Sequence, residues 1–181
     1  SLMKKFWKKT GTIALISLLC STSSALIGQG INITEKGTLS MQTLHGSDIS
    51  DIWGYVDETG IEYALIGVNE GGLSVVSLED PANPREVFYA EGATSIWRDV
   101  KTYKDFAFVT NETDGGLQIV NLAPLPENPP SEVFFYDDNN SWGSSHNLFI
   151  EEDRGIAYVF GANKGLKPYP TLILDIKDPY N

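Results

Sequence analysis

Cysteine is almost missing from this chain: Cys20 is the single one in 181 residues. It falls in a stretch that reads as a removable leader, so the mature chain is expected to carry no thiol and no disulfide and to rely on packing alone. Histidine is nearly as scarce, with His45 and His146 as its two representatives. A zinc centre, which takes three or four N, S or O ligands, has little to draw on. Basic residues are outnumbered, 13 Lys and Arg against 24 Asp and Glu. A surface so acidic repels phosphate backbones and anionic headgroups, which argues against nucleic acid and direct membrane-surface binding. The familiar catalytic signatures are missing too: no G-x-S-x-G elbow, no P-loop, no G-x-G-x-x-G after a strand and no H-E-x-x-H. Carboxylates are plentiful, but nothing in their spacing picks out a hydrolytic pair. Outside the leader no stretch carries a 3.6-residue apolar period, so almost no helix is expected.

The leader comprises residues 1–25. Ser1 and Leu2 stand as a short remnant before Met3, which is followed by Lys4, Lys5, Lys8 and Lys9, an apolar run from Ile13 to Leu19, and STSSA. This is the order of a secretory signal, with Ser23 and Ala25 as the small residues before the cut. The apolar run is short for a membrane span, which favours a cleaved signal over a retained anchor. A lipobox wants small residues before its Cys, whereas Leu18 and Leu19 precede Cys20. Cleavage leaves nine basic against 24 acidic residues, a net of −15. A secreted, extracellular or surface location follows as an expectation, with the periplasm as the alternative.

The rest of the chain repeats itself. GGLSVVS at 71–77 returns 44 residues later as GGLQIVN at 115–121. Ile52-Trp53 returns as Ile96-Trp97, and Tyr63-Ala64-Leu65 as Phe106-Ala107-Phe108 and again as Ile156-Ala157-Tyr158. TLILDIKDP, ending at Pro179, is a third partner of the LSVVS strand, and EVFYA (86–90) matches EVFFY (132–136). Four short strands per unit, repeated, predict an all-β chain of β-propeller-like, four-stranded blades at about 51–94, 95–141 and 142–181. Gly71, Gly72, Gly115 and Gly116 are expected at tight turns, and Trp53 and Trp97 at matched blade-packing positions. A β-sandwich is the rival reading, made less attractive by three landmarks recurring at one spacing. The segment 26–50 is expected to hold a ring-closing strand.

These motifs, above all DIWGYVDETGIEYALIGVNEGGLSVV, DPANP, WRDVKTYKDFAFVTNETDGGLQIVNL and HNLFI with GIAYVFGA, resemble the LVIVD repeats of the choice-of-anchor B family of exported bacterial proteins. The resemblance runs from about Asp51 to the end. It implies an extracellular β-propeller-like domain with a variable C-terminal anchor and no settled biochemical activity. The chain departs from the pattern by stopping in mid-repeat after DPYN, as an incomplete reading frame would.

Aligned on their first strands, the units place Trp53, Trp97 and Ser145 in one column, Gly54, Arg98 and His146 in the next, then Tyr55, Asp99 and Asn147, then Val56, Val100 and Leu148. First strands of a propeller line its channel, so Arg98, Asp99, His146 and Asn147 are the candidates for a channel-mouth site. His146 and Asp99 would serve as metal ligands and Arg98 would hold an anionic group. The competing and preferred reading is a structural ring of paired groups tying blades together. His45 and Asp48 in HGSDISD, and Asp137 and Asp138 in DDNNS, offer oxygen and imidazole ligands to calcium or another metal, although neither stretch has the EF-hand form. No other cofactor is expected. The functional expectation is therefore a secreted or surface β-propeller acting as a binding or adhesion module toward a protein or glycan. The alternative is a channel-mouth hydrolase or lyase.

Overall fold

A computed structural model describes residues 33–138, 142–164 and 167–180. The predicted leader, Cys20 and the DDNNS residues 139–141 lie outside the described residues. The compact unit that carries the repeat spans Glu35–Asn181.

The architecture is all-β, in three four-stranded antiparallel sheets. The first runs in order β1 (Ile49–Val56), β2 (Glu62–Val68), β3 (Gly72–Ser77) and β4 (Arg85–Glu91). The second repeats that order with β5 (Val100–Tyr103), β6 (Phe106–Val109), β7 (Leu117–Asn121) and β8 (Val133–Tyr136). In the third, β10 (Asn147–Glu151), β11 (Ile156–Lys164) and β12 (Lys167–Asp175) follow the same path. The short β9 (Trp142–Ser144) pairs β11 beyond β10. Among the described residues the sheets form no closed ring.

The sheets pack face to face through two cores. Successive strand side chains point to opposite faces. Tyr63, Leu65, Leu73 and Val75 of the first sheet therefore share one face, and they meet Val100, Ala107, Val109 and Val120 of the second. The second sheet's other face, with Phe108, Leu117 and Ile119, meets Leu148, Ile150, Ala157 and Val159 of the third. Sandwiched on both sides, β7 is buried at every position, which is why LQIVN reads as a near-continuous apolar run.

Apart from Ile49 and Ser50, which open β1, the described part of the 26–50 segment forms no strand. It supplies a short helix, α1 (Met41–His45), which Ser40 caps by accepting from the Thr43 N–H at 3.2 Å. Leu39 and Met41 cover the free face of the first sheet at Ile66, Val68 and Val76. The segment is apolar toward a sheet face rather than matched to a sheet edge. At Gly37 it passes so near the 81–82 turn that a Cβ would stand 2.4 Å from the Pro81 carbonyl oxygen.

Candidate functional site

The strand registers correct the alignment of the first unit. Tyr55 faces Tyr63 across β1 and β2, Tyr103 faces Phe106 across β5 and β6, and Glu151 faces Ile156 across β10 and β11. Counting back from those pairs makes Asp51, Asp99 and Asn147 equivalent, and likewise Ser50, Arg98 and His146. Gly54 and Tyr55 do not belong in those columns. Trp53 is the counterpart of Lys101, and Trp97 that of Ile49, so the two tryptophans are not a matched pair. Their 44-residue spacing is the spacing of the third strands, whereas the first strands are 48 apart. The first hairpin is longer, with residues 56–62 between the paired Tyr55 and Tyr63 against Lys104 and Asp105 between Tyr103 and Phe106. The next hairpin is one residue longer in the second sheet, Phe106 pairing Asn121 where Tyr63 pairs Ser77, which leaves the net offset of four.

The corrected columns show what the polar groups do. Asp51 Oδ2 accepts the Val100 N–H at 2.7 Å, and Asp99 Oδ2 accepts the Leu148 N–H at the same distance. Each carboxylate thus holds the first strand of the next sheet. Tyr55 continues the pattern, its hydroxyl donating to Asp105 in the next sheet's hairpin at 2.9 Å. Burial first, and that hydrogen bond second, push the Tyr55 phenol above its ordinary range. Tyr103 leans the same way onto Gly155, where a Cβ would come within 2.8 Å of its hydroxyl.

Arg98 and Asp99 are adjacent in sequence and point apart. Arg98 is buried, 5% exposed, and donates from Nε to the Val68 carbonyl at 2.9 Å and from Nη2 to that of Ala93. Burial lowers its pKa, yet a guanidinium remains a cation in proteins. Gly67 makes room for it, since a Cβ there would meet Arg98 Cβ at 3.1 Å. Arg98 therefore joins the backbone carbonyls of Val68 and Ala93. The second oxygen of Asp99 pairs with the Lys101 ammonium, which also lies 4.6 Å over the Trp53 ring. Trp53 in turn donates its indole N–H to Thr102 at 3.0 Å.

His146 is exposed and pairs through Nδ1 with Glu112. It is linked to Asp99 through Thr110, whose hydroxyl accepts the Asp99 N–H at 3.0 Å and donates to the His146 carbonyl at 3.2 Å. Asn147 is exposed. The candidate residues thus lie along one edge of the first strands without converging their side chains on one point.

The proposed metal ligands are dispersed as well. His45 Nε2 stands 2.7 Å from Glu86 and its ring stacks on Tyr89 with centroids 4.0 Å apart. Asp48 is exposed, and Asp137 gives its carbonyl to the Trp142 N–H at 2.8 Å. Among the described residues no three His, Cys, Asp or Glu side chains stand together as a metal group would require.

Comparison with protein-family models, curated proteins and solved structures finds no match.

The structural polar residues that sequence reasoning missed are Asp51, Tyr55 and Ser47. Their signal was present: DIWGY (51–55) and DVKTY (99–103) are the same pentapeptide pattern 48 residues apart. Ser47 Oγ accepts the Glu70 N–H at 2.9 Å, and Ser95 Oγ, with the serine 48 residues on, accepts that of Glu112 at 3.0 Å. Besides His146 and Asn147, this edge exposes two apolar neighbours just before Arg98, Ile96 and Trp97, 67% and 54% exposed.

Proposed function

We propose that the chain is a secreted or cell-surface, β-propeller-like interaction module whose contact surface includes Ile96 and Trp97, and that it performs no catalysis. The observation that carries this reading is the division of labour along the first strands. Asp51, Asp99 and Arg98, the groups that an enzyme or an anion site would use, are taken up by backbone groups of neighbouring strands. Beside them stands an exposed tryptophan. Indole combines a large apolar face with one donor, which suits it to a glycan ring or a protein partner.

Among the described residues, the exposed His146–Glu112 pair favours the alternative, a hydrolase or lyase, because an imidazole beside a carboxylate is the form of a general base. An array of glycans and extracellular proteins, probed with wild type and Trp97→Ala, separates the readings. The expected result is saturable binding that weakens about tenfold or more in Trp97→Ala, a hot-spot-sized loss, with unchanged thermal melting. Turnover of a generic ester or glycoside substrate that disappears in His146→Ala would instead establish the enzyme, and failure to bind any array member would remove the module reading.

A further inference from the structure

The repeat allows two inter-sheet interfaces to be compared at the C-terminal ends of β3 and β7. In the first sheet Tyr63, Ser77 and Arg85 stand in a row across β2, β3 and β4. Their counterparts in the second are Phe106, Asn121 and Glu132; Asn121 pairs Phe106 and gives its backbone N–H to the Glu132 carbonyl at 3.1 Å. Over the second row the turn after β12 brings Tyr180, whose ring meets Phe106 and Phe134 edge-on with centroids 5.6 and 5.4 Å apart. The Tyr180 hydroxyl accepts from Asn121 Nδ2 at 2.8 Å and donates to Glu132 Oε2 at 2.6 Å.

Over the first row the equivalent turn, after β7, brings a proline instead. Tyr180 stands four residues after Ile176, whose N–H binds the Gly155 carbonyl, and Pro126 four after Leu122, bound likewise to Asp105. A pyrrolidine ring has neither the length nor the hydroxyl of tyrosine. A cleft of about 340 Å³ remains, lined by Ile61, Val87, Leu125 and Pro126 together with Ser77 and Arg85. That volume lies at the lower end of small-molecule sites. The polar pair has also changed character. Where Glu132 is an acceptor, Arg85 offers donors alone, and among the described residues its guanidinium makes no ion pair. Ser77 Oγ accepts the Glu79 N–H at 3.3 Å, which leaves its own hydrogen to give.

We propose that this cleft binds a small aromatic carboxylate. The ring takes the place that Tyr180 takes in the next interface, against Ile61, Val87 and Leu125. The carboxylate takes the place of the phenol and accepts from Ser77 and from the Arg85 fork, whose geometry suits two parallel bonds. Glu79, also on the cleft wall, disfavours a second acidic group, so the ligand is a monoanion. All these residues lie in or between strands of the first two sheets. None belongs to the Ile96–Trp97 surface, and the site stands or falls independently of it.

The test titrates the 181-residue chain with para-toluate, and with para-toluamide as its neutral counterpart, by calorimetry and ligand-observed NMR. Saturable one-to-one binding of the acid is expected, with a Kd on the order of 1 mM or tighter for so small a ligand. Replacing the acid by the amide, or Arg85 by Gln, is expected to weaken binding about tenfold or more, the loss of a charge-assisted pair. Arg85 is exposed, so Arg85→Gln is expected to melt as wild type does. Contacts from the aryl protons to the methyl groups of Val87 and Leu125 locate the ring in the unaltered protein. No saturable binding, equal binding of acid and amide, undiminished binding by a folded Arg85→Gln chain, or a ring located elsewhere would each overturn the proposal.

Discussion

At the scale of single residues, the acidic side chains of this protein are structural parts. Asp99 receives the Leu148 N–H and the Lys101 ammonium with its two oxygens. Removing the carboxylate leaves a backbone donor without its partner, which typically costs about 1–3 kcal/mol. Asp99→Ala is therefore expected to lower stability in urea titrations by about 2 kcal/mol, while Asp99→Asn, which keeps an acceptor oxygen, is expected to cost less. An Asp99→Ala chain as stable as wild type would refute the clamp. Asp57 behaves as a second keystone. Its Oδ1 accepts from the Thr59 N–H at 2.8 Å, the Thr59 hydroxyl at 2.7 Å and the Ile61 N–H at 3.0 Å, and its Oδ2 from the Tyr63 hydroxyl at 2.9 Å. Burial alone would raise its pKa, but these donors outweigh it and hold the carboxyl below its ordinary value. A folded-state pKa below the unfolded one contributes stability above the unfolded value, lost as pH falls through the folded one. The stability gap between wild type and Asp57→Asn is thus expected to be full at neutral pH and to shrink below about pH 4. Chemical denaturation at a series of pH values reads it directly, and a gap that widens toward acid would contradict the assignment.

At the scale of the strand, the glycine pairs divide their work unequally. Gly72 and Gly116 open β3 and precede β7 at equivalent positions, with φ of 140° and 70°. A Cβ there would lie 1.9 Å from the Ala90 carbonyl oxygen and 2.1 Å from that of Tyr136, so the fourth strand of each sheet closes over a missing side chain. Gly115 also has positive φ, 87°, but open space around it. Gly116→Ala therefore meets both backbone strain and a clash, and is expected to cost about 3 kcal/mol or more. Gly115→Ala meets strain alone, about 1–2 kcal/mol. Thermal melts of the two variants should separate clearly, and equal losses would show that the close approach of β8 carries no weight.

At the scale of the whole repeat, stability is expected to be graded. Repeat units are stabilised chiefly by their nearest neighbours. The second sheet is covered on one face by the first and on the other by the third. The third leaves Phe149, Phe160 and Ile173 exposed. Native-state hydrogen exchange is expected to show strongest protection in β6 and β7, weaker protection in β2 and β3, and the weakest in β11 and β12. Uniform protection would mean that the sheets unfold as one unit rather than as coupled repeats.

Much of this architecture is legible in the amino-acid sequence. Alternating apolar residues, glycine pairs and proline-rich turns place β3, β7 and the strands around them, because these signals are local and follow from backbone geometry. The repeat is legible too, but its first strands align wrongly, since the recurring Ile-Trp shares the third-strand spacing by coincidence. The true marks, DIWGY and DVKTY, are set 48 apart, chiefly because the hairpin between Tyr55 and Tyr63 is longer than its counterpart, an offset that a single spacing hides. The site is less legible. That Arg98 and Asp99 are polar residues on an apolar strand is a fact of sequence. That one turns inward to backbone carbonyls, and the other outward to the next sheet's Leu148 N–H, depends on which sheet packs where. The sequence by itself determined the strands and their repetition, through local pattern and turn chemistry. Only the tertiary structure decided which partner each charge takes, because that follows from contacts between residues 49 positions apart.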